Sequence, residues 1–375
     1  MTTIARLTLA TLLALGGTGI VRTAAAQEVL VGVPTASTGI FSFAAVAGRN
    51  GLLTALDEVN ASGELGPVKL KAQVEDTASD KNQATTIVSR LVQDDKVVAI
   101  LGPTSSVEAF AALPVAQQAK VPVFSTASAD VTTVGDWIYK ATATPVTIME
   151  ALAVSALERL KPAKVAYVFN RDNDAYIAQK NGVKTLFEAN GVRTVAEETI
   201  VGGDTDFTAL ATKLASLDID TLLVSTTAEV SANIIIQAKQ AGLSPEVRII
   251  GTPSMASQQF LKVGGAAVEG TIFVADYFVE SDSALNKTFR ESYKKRFNIE
   301  PDVFAAIGYN QLRVAAAAIK AAAPNYDRES IRAAAAKIKD LPTILGNGKL
   351  TITEKRTPEY GGFVITVKDG GFTLY

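Results

Sequence analysis

The chain has 375 residues, long for one domain and comfortable for two. Its 36 Lys and Arg nearly balance 38 Asp and Glu and are scattered, which argues against nucleic acid as the main partner. It contains no cysteine and no histidine. That excludes disulfides, thiol catalysis, imidazole or thiolate metal sites, and any Ser-His or zinc-hydrolase chemistry.

Residues 1–26 read as a secretory signal: Arg6, an apolar run from Leu7 to Leu15, and Ala24-Ala25-Ala26 before a cut at Gln27. The apolar run falls short of the roughly 20 residues that span a bilayer. With no cysteine near the cut there is no lipid anchor, so the mature chain is expected free in a periplasm.

From Gln27 short apolar strands alternate with amphipathic helices. VLVGVP (29–34), VKLKAQVED (68–76), VVAIL (97–101) and VPVF (121–124) read as strands. Leu52, Leu56 and Val59 share one helical face between them, as do Ala84, Ile87, Val88, Leu91 and Val92. Past Trp137–Thr144 the pattern restarts, with strands at 165–170, 193–201, 221–225 and 247–251 and helices near 174–190, 206–217 and 229–242. Such alternation predicts parallel sheets with helices on both faces, an α/β chain of two doubly wound units. A further strand, TIFVADYF, precedes helices over 282–297, 303–323 and 327–339, and GGFVITVKDGGFTLY closes the chain as a hairpin.

The segment Gly102-Pro103-Thr104-Ser105-Ser106-Val107-Glu108 follows a strand and opens a helix. It lacks the lysine of a P-loop, and no Gly-x-Ser-x-Gly elbow exists. Ser105 and Glu108 fit a capping box. The same geometry also suits an anion, because free N–H groups and the helix dipole face it at the ligand-binding end of a parallel sheet. Both readings stay open. Ser125, Thr126 and Ser128 repeat the arrangement after the next strand. Two adjacent hydroxyl-rich strand ends without a cation of their own suit a carboxylate. Ser292-Tyr293-Lys294-Lys295 matches Ser-x-x-Lys, but inside the charged stretch FRESYKKRF it reads as a solvated helix face. No cofactor or metal motif is found, and an enzyme is not expected.

VGVPTASTGIFSFAAVAGRNGLLTALDEVNASGEL and VEDTASDKNQATTIVSRLVQDDKVVAILGPTSS resemble consecutive blocks of the type I periplasmic binding proteins of the leucine/isoleucine/valine class. The resemblance covers nearly all of the mature chain. It implies two Rossmann-like lobes joined by three crossover strands near 140–144, 273–276 and 356–361. Lobe 1 would comprise 27–141 plus 275–358, and lobe 2 would comprise 142–274 plus 359–375. It further implies a small ligand captured between the lobes, delivery to the membrane permease of an ABC importer, and a monomer. A ligand sensor of the same fold is the rival reading.

Carried over by position, Ser105 would hold the ligand carboxylate with Ser106 beside it, and Ala127 and Ser128 would meet the carboxylate and ammonium. Phe43 or Ala44 would line the first lobe's pocket, Tyr176 and Thr227 the second lobe's, and Phe304 would lie under the ligand side chain. One departure stands out. Where amino-acid binders place an acid for the ligand ammonium, this chain has Gly251-Thr252-Pro253-Ser254-Met255. An unpaired buried ammonium is costly. Either Asp174, Glu229 or Asp276 replaces the acid, with Ser254 in the pocket, or the ligand has no ammonium. In the second case Phe41, Phe43, Phe110 and Phe304 could line an aromatic-acid pocket.

Overall fold

A computed structural model describes residues 27–94, 96–201 and 203–375. The expected signal segment lies outside them. The first unit runs β1 (Gln27–Thr35), α1 (Ser42–Ser62), β2 (Val68–Asp76), α2 (Lys81–Gln93), β3 (Ala99–Leu101), α3 (Ser106–Gln118), β4 (Val123–Ser125) and β5 (Ile138–Lys140). The five strands form one parallel sheet, ordered β2-β1-β3-β4-β5. β3 and β4 are buried at every residue because helices cover both faces, which explains their unbroken apolar runs.

The second unit runs α4 (Pro145–Arg159), β6 (Lys164–Asn170), α5 (Asp174–Ala189), β7 (Arg193–Ile200), α6 (Thr208–Ser216), β8 (Thr221–Ser225), α7 (Ala228–Gln240), β9 (Arg248–Gly251), α8 (Gln258–Gly264) and β10 (Ile272–Ala275). α9 (Ala284–Phe297), α10 (Val303–Ala321) and α11 (Arg328–Ala335) follow, then β11 (Leu341–Pro342), β12 (Lys349–Ile352), β13 (Pro358–Glu359), β14 (Phe363–Lys368) and β15 (Gly371–Leu374). The second sheet is ordered β15-β14-β10-β9-β8-β6-β7, parallel except for its terminal hairpin. That hairpin turns through Asp369 and Gly370, both at positive φ, as a two-residue turn of this hand requires. The chain is thus two Rossmann-like lobes of α/β type.

The chain passes between the sheets three times, over 141–144, 276–283 and 360–362. The strand expected over TIFVADYF stops at Ala275, since the Asp276 carbonyl turns to accept the Gly346 N–H at 2.8 Å. The small sheet β11-β12-β13 was not expected; its two-residue strands carry too little alternation to register.

α9, α10 and α11 return to the first sheet. α10 crosses α1 at backbone contact: a Cβ at Gly308 would stand 1.8 Å from the Gly48 carbonyl oxygen, and one at Gly51 would stand 1.8 Å from that of Ala305. No side chain fits at these two points of the crossing. The first turns of the two helices, carrying Phe43 and Phe304, are thereby brought together at the sheet's C-terminal edge. Among the described residues no helix is long and apolar enough to cross a membrane.

Candidate functional site

A cavity of about 990 Å³ lies between the two sheets. The loops after β1, β3 and β4 and the first turns of α1, α3 and α10 form one wall, and the start of α4 with the loop from β6 into α5 forms the other. This is the end of an open parallel sheet where ligands are expected.

Ser105 caps α3: its Oγ accepts the Glu108 N–H at 3.3 Å and donates to Glu108 Oε2 at 2.5 Å. Thr77 Oγ1 donates to the other carboxylate oxygen. Glu108 is fully buried, so both its oxygens are satisfied by hydroxyls, and it serves the cap through the Ser105 side chain instead of the backbone N–H of a standard box. The capping reading therefore holds for the Ser105 hydroxyl, whose proton is committed. What remains for an anion at this position is the first-turn backbone N–H of α3.

Ser106 is differently placed. Its Oγ accepts the Ala129 N–H at 3.1 Å, which leaves its own proton to donate into the cavity. Ser125 is buried and donates to the Pro103 carbonyl at 3.3 Å, tying the two loops together. Thr126 and Ser128 face the cavity. Gly102, at φ 132° with the Pro34 carbonyl oxygen 2.4 Å from where a Cβ would lie, makes the tight turn that only glycine accepts.

The apolar part of the wall is aromatic. Phe41, Phe43, Phe110 and Phe304 all line the cavity, with Phe43 meeting Phe304 edge-on at 5.6 Å. Phe43 is 68% exposed, an unusual position for a ring unless something else is to cover it. From the second lobe Tyr176 lines the cavity; burial raises its phenol pKa, and Ser254 is hydrogen-bonded to it.

The family profile of periplasmic binding proteins matches residues 28–371. The chain belongs to the periplasmic binding protein family. A Leu/Ile/Val-binding protein of Rhizobium johnstonii is 27% identical over 304 residues, 80% of each chain. Among solved structures, a leucine-binding protein of Thermotoga maritima superposes with a TM-score of 0.76 at 25% identity, covering 92% of this chain and 97% of that one. A branched-chain amino acid transporter substrate-binding protein of Streptococcus pneumoniae, solved with isoleucine, gives 0.75 at 25% identity, covering 93% and 98%. This periplasmic binding protein is a solute-binding component and not an enzyme.

Of the residues singled out by sequence, the binding protein brings Ser105, Ser106, Ser128, Phe43, Tyr176 and Phe304 around one cavity, with Ala44 beside Phe43. Three others stand outside its wall. Ala127 is fully buried, and its carbonyl accepts the Lys140 ammonium. Thr227 is exposed at the N-terminus of α7, without a side-chain cap bond. Ser254 donates to the Thr226 carbonyl and lies 2.9 Å from Thr252 Oγ1, one layer behind Tyr176.

The three acids considered for a ligand ammonium separate cleanly. Asp174 lines the cavity at the first turn of α5. Glu229 is exposed and off the wall. Asp276 sits at the second crossing, where it accepts the Tyr360 hydroxyl. Sequence reasoning missed Arg49, Asp130, Asp172 and Gln311, all in the wall. Gln311 was findable, because Phe304, Ile307, Gly308 and Gln311 follow one helical stripe. Arg49 donates to Ser37 Oγ at 3.3 Å and to Asn50 Oδ1 at 3.1 Å. No metal-holding cluster of three acidic groups occurs among the described residues.

Proposed function

We propose that this chain captures a small hydrophobic amino acid of the leucine, isoleucine and valine type between its lobes, 27–141 plus 275–358 and 142–274 plus 359–375. It acts as a monomer in the periplasm after removal of the segment before Gln27, and delivers its ligand to the permease of an ABC importer. The observation that carries this reading is the pairing of donors and rings in one cavity. The Ser106 hydroxyl and the first-turn N–H groups of α3 lie at one end, and Phe43 and Phe304 beside them. The names of the relatives, Leu/Ile/Val-binding and isoleucine-bound, agree.

The ligand carboxylate meets Ser106, Ser128 and the α3 N-terminus first. Lobe 2 then swings Tyr176 and Asp174 over the remainder, and Asp174 pairs the ammonium in place of the acid missing from Gly251–Met255. Hydrogen bonds to a charged carboxylate contribute about 1.5–3 kcal/mol each, and a buried aliphatic side chain about as much. Three or four such contributions, less the cost of ordering, reach about −8 kcal/mol, a micromolar affinity.

A second reading has its own observation: the four phenylalanines lining the cavity suit an aromatic acid without an ammonium. Calorimetric titration of refolded, ligand-stripped protein with leucine, isoleucine, valine, benzoate and phenylpropanoate decides between them. Micromolar binding of the amino acids is expected. Binding of the aromatic acids alone would replace the first reading with the second, and binding of neither would remove the carboxylate cradle.

A further inference from the structure

The loops after β3 and β4 that form the cradle carry no cation of their own, and Arg49 elsewhere in the cavity wall donates to Ser37 and Asn50; another cation lies directly behind the loops. Lys140 ends β5 with no exposed surface at all. Its ammonium donates to the carbonyls of Ala127, of Ala129 at 3.0 Å and, more loosely, of Ser128 at 3.4 Å. An ammonium has three protons and these are three acceptors, all in the loop that presents Ser128 to the cavity. The same loop sends the Ala129 N–H to Ser106 Oγ. The lysine, the loop and Ser106 thus form one continuous hydrogen-bonded chain that ends at the cavity.

A bare structural role explains this poorly. An apolar side chain of similar length would fill the same space without taking a charge out of water. The charged groups around Lys140 are few and none is a close partner on β5. Asp130 follows the loop and faces the cavity. Asp276 stands on the second crossing, occupied by the Tyr360 hydroxyl from the third, which also accepts the Ala143 N–H at 2.9 Å. Arg356, whose carbonyl accepts the Lys140 backbone N–H, directs its guanidinium to the Ile138 and Thr132 carbonyls. Lys140 just before the first crossing, Asp276 at the start of the second and Tyr360 at the start of the third thus meet where the lobes join.

We propose that Lys140 is a positioning residue for ligand capture: from beneath, its ammonium holds loop 127–129 in the shape that offers Ser128 and Ser106 to a ligand carboxylate, and it supplies a positive charge behind loops that carry none of their own. The inference rests on the carboxylate reading given above, and its test has one arm that does not.

Burial pushes the Lys140 ammonium down to about 8, against the opposing pull of Asp130 and Asp276. Asp276 keeps some exposed surface, but loss of water around its carboxyl still pushes it above the usual carboxylate range. A carboxylate bound on the far side of the loop stabilises the protonated lysine. By reciprocity the protonated lysine strengthens binding, and affinity falls once pH passes about 8. The slope approaches roughly tenfold per pH unit at most.

The test compares wild type with Lys140→Met and Lys140→Gln. In the ligand-free proteins at pH 7, amide exchange over 126–130 is expected to quicken about tenfold or more in both variants, while α2 amides stay unchanged. Exchange equal to wild type would overturn the positioning role even if no carboxylate binds. In the second arm L-leucine and benzoate are titrated at pH 7 and pH 9. Wild type is expected to lose about tenfold more affinity than either variant for whichever probe binds, and parallel losses would overturn the electrostatic role. Should the variants not fold, wild type alone is titrated at pH 8.5 in buffers of differing ionisation enthalpy. Uptake of a fraction of a proton on binding is expected, and none would overturn it. Failure of both probes at pH 7 would instead count against the carboxylate reading, leaving the exchange arm to decide Lys140.

Discussion

The two walls of the cavity are built in contrasting ways. On the first lobe a set of polar groups is interlocked: Ser105 and Thr77 on Glu108, Ser106 on Ala129, Ser125 on Pro103, Gln311 Nε2 on the Phe124 carbonyl at 2.7 Å. On the second lobe the loop 171–174 is exposed, and the Arg171 N–H ties its start to the Ile200 carbonyl at 3.1 Å. The Asp172 N–H reaches Asn170 Oδ1 at 2.7 Å, and Asn173 caps α5 through the Ala175 N–H at 2.9 Å. A prearranged wall receives the ligand at little reorganisation cost, while a loosely held one gains its contacts on closure. Substitutions in the first lobe should therefore disturb folding and binding together, and those in the second should disturb binding alone.

The largest effect is expected at Glu108. Glu108→Ala strips the buried Ser105 and Thr77 hydroxyls of their carboxylate and removes the group that orients the Ser105 cap, and should lower stability by about 3 kcal/mol in urea denaturation. A loss under about 1 kcal/mol would mean the wall is not held together from within. Next comes Gly308→Ala. Because the intruding Cβ would meet a backbone carbonyl, α1 and α10 must separate, at a cost of about 1–3 kcal/mol with weakened binding. Unchanged stability would show that the crossing has slack.

Two substitutions sharpen the contrast on the binding side. Ser106→Ala should weaken leucine roughly tenfold, the worth of about 1.4 kcal/mol, and lower stability by about 1 kcal/mol because the Ala129 N–H loses its acceptor. Asp174→Asn should cost leucine a similar factor and leave benzoate and stability untouched; an equal loss for both would deny Asp174 its pairing with the ammonium. The smallest effect is expected at Thr227, exposed and off the wall. Thr227→Ala should change affinity less than about twofold in the same titration.

Much of this architecture was legible in the letters. The β-α alternation up to Gly251, the capping pair Ser105 and Glu108, and the helical stripe from Phe304 rest on local periodicity and spacing, which one sequence displays. Lys140 was not legible. In IYKAT it reads as an ordinary polar strand end, and only the fold shows that the loop 127–129 closes over it. Thr227 and Ser254 stand off the cavity wall for another reason. They lie on strand-to-helix turns, where a shift of one residue moves a side chain from the cavity to the layer behind it. Arg49 lies one position beyond Gly48, and nothing in its letters distinguishes a cavity arginine from a solvated one.

The most direct measurement is a paired titration of ligand-stripped protein, L-leucine against L-leucinamide and benzoate against benzamide. The acid of the pair that binds is expected at micromolar affinity with its amide about a hundredfold or more weaker, since Ser106, Ser128, the α3 N-terminus and the charge of Lys140 all favour an anion. An acid and its amide binding equally well would contradict carboxylate capture on the first lobe.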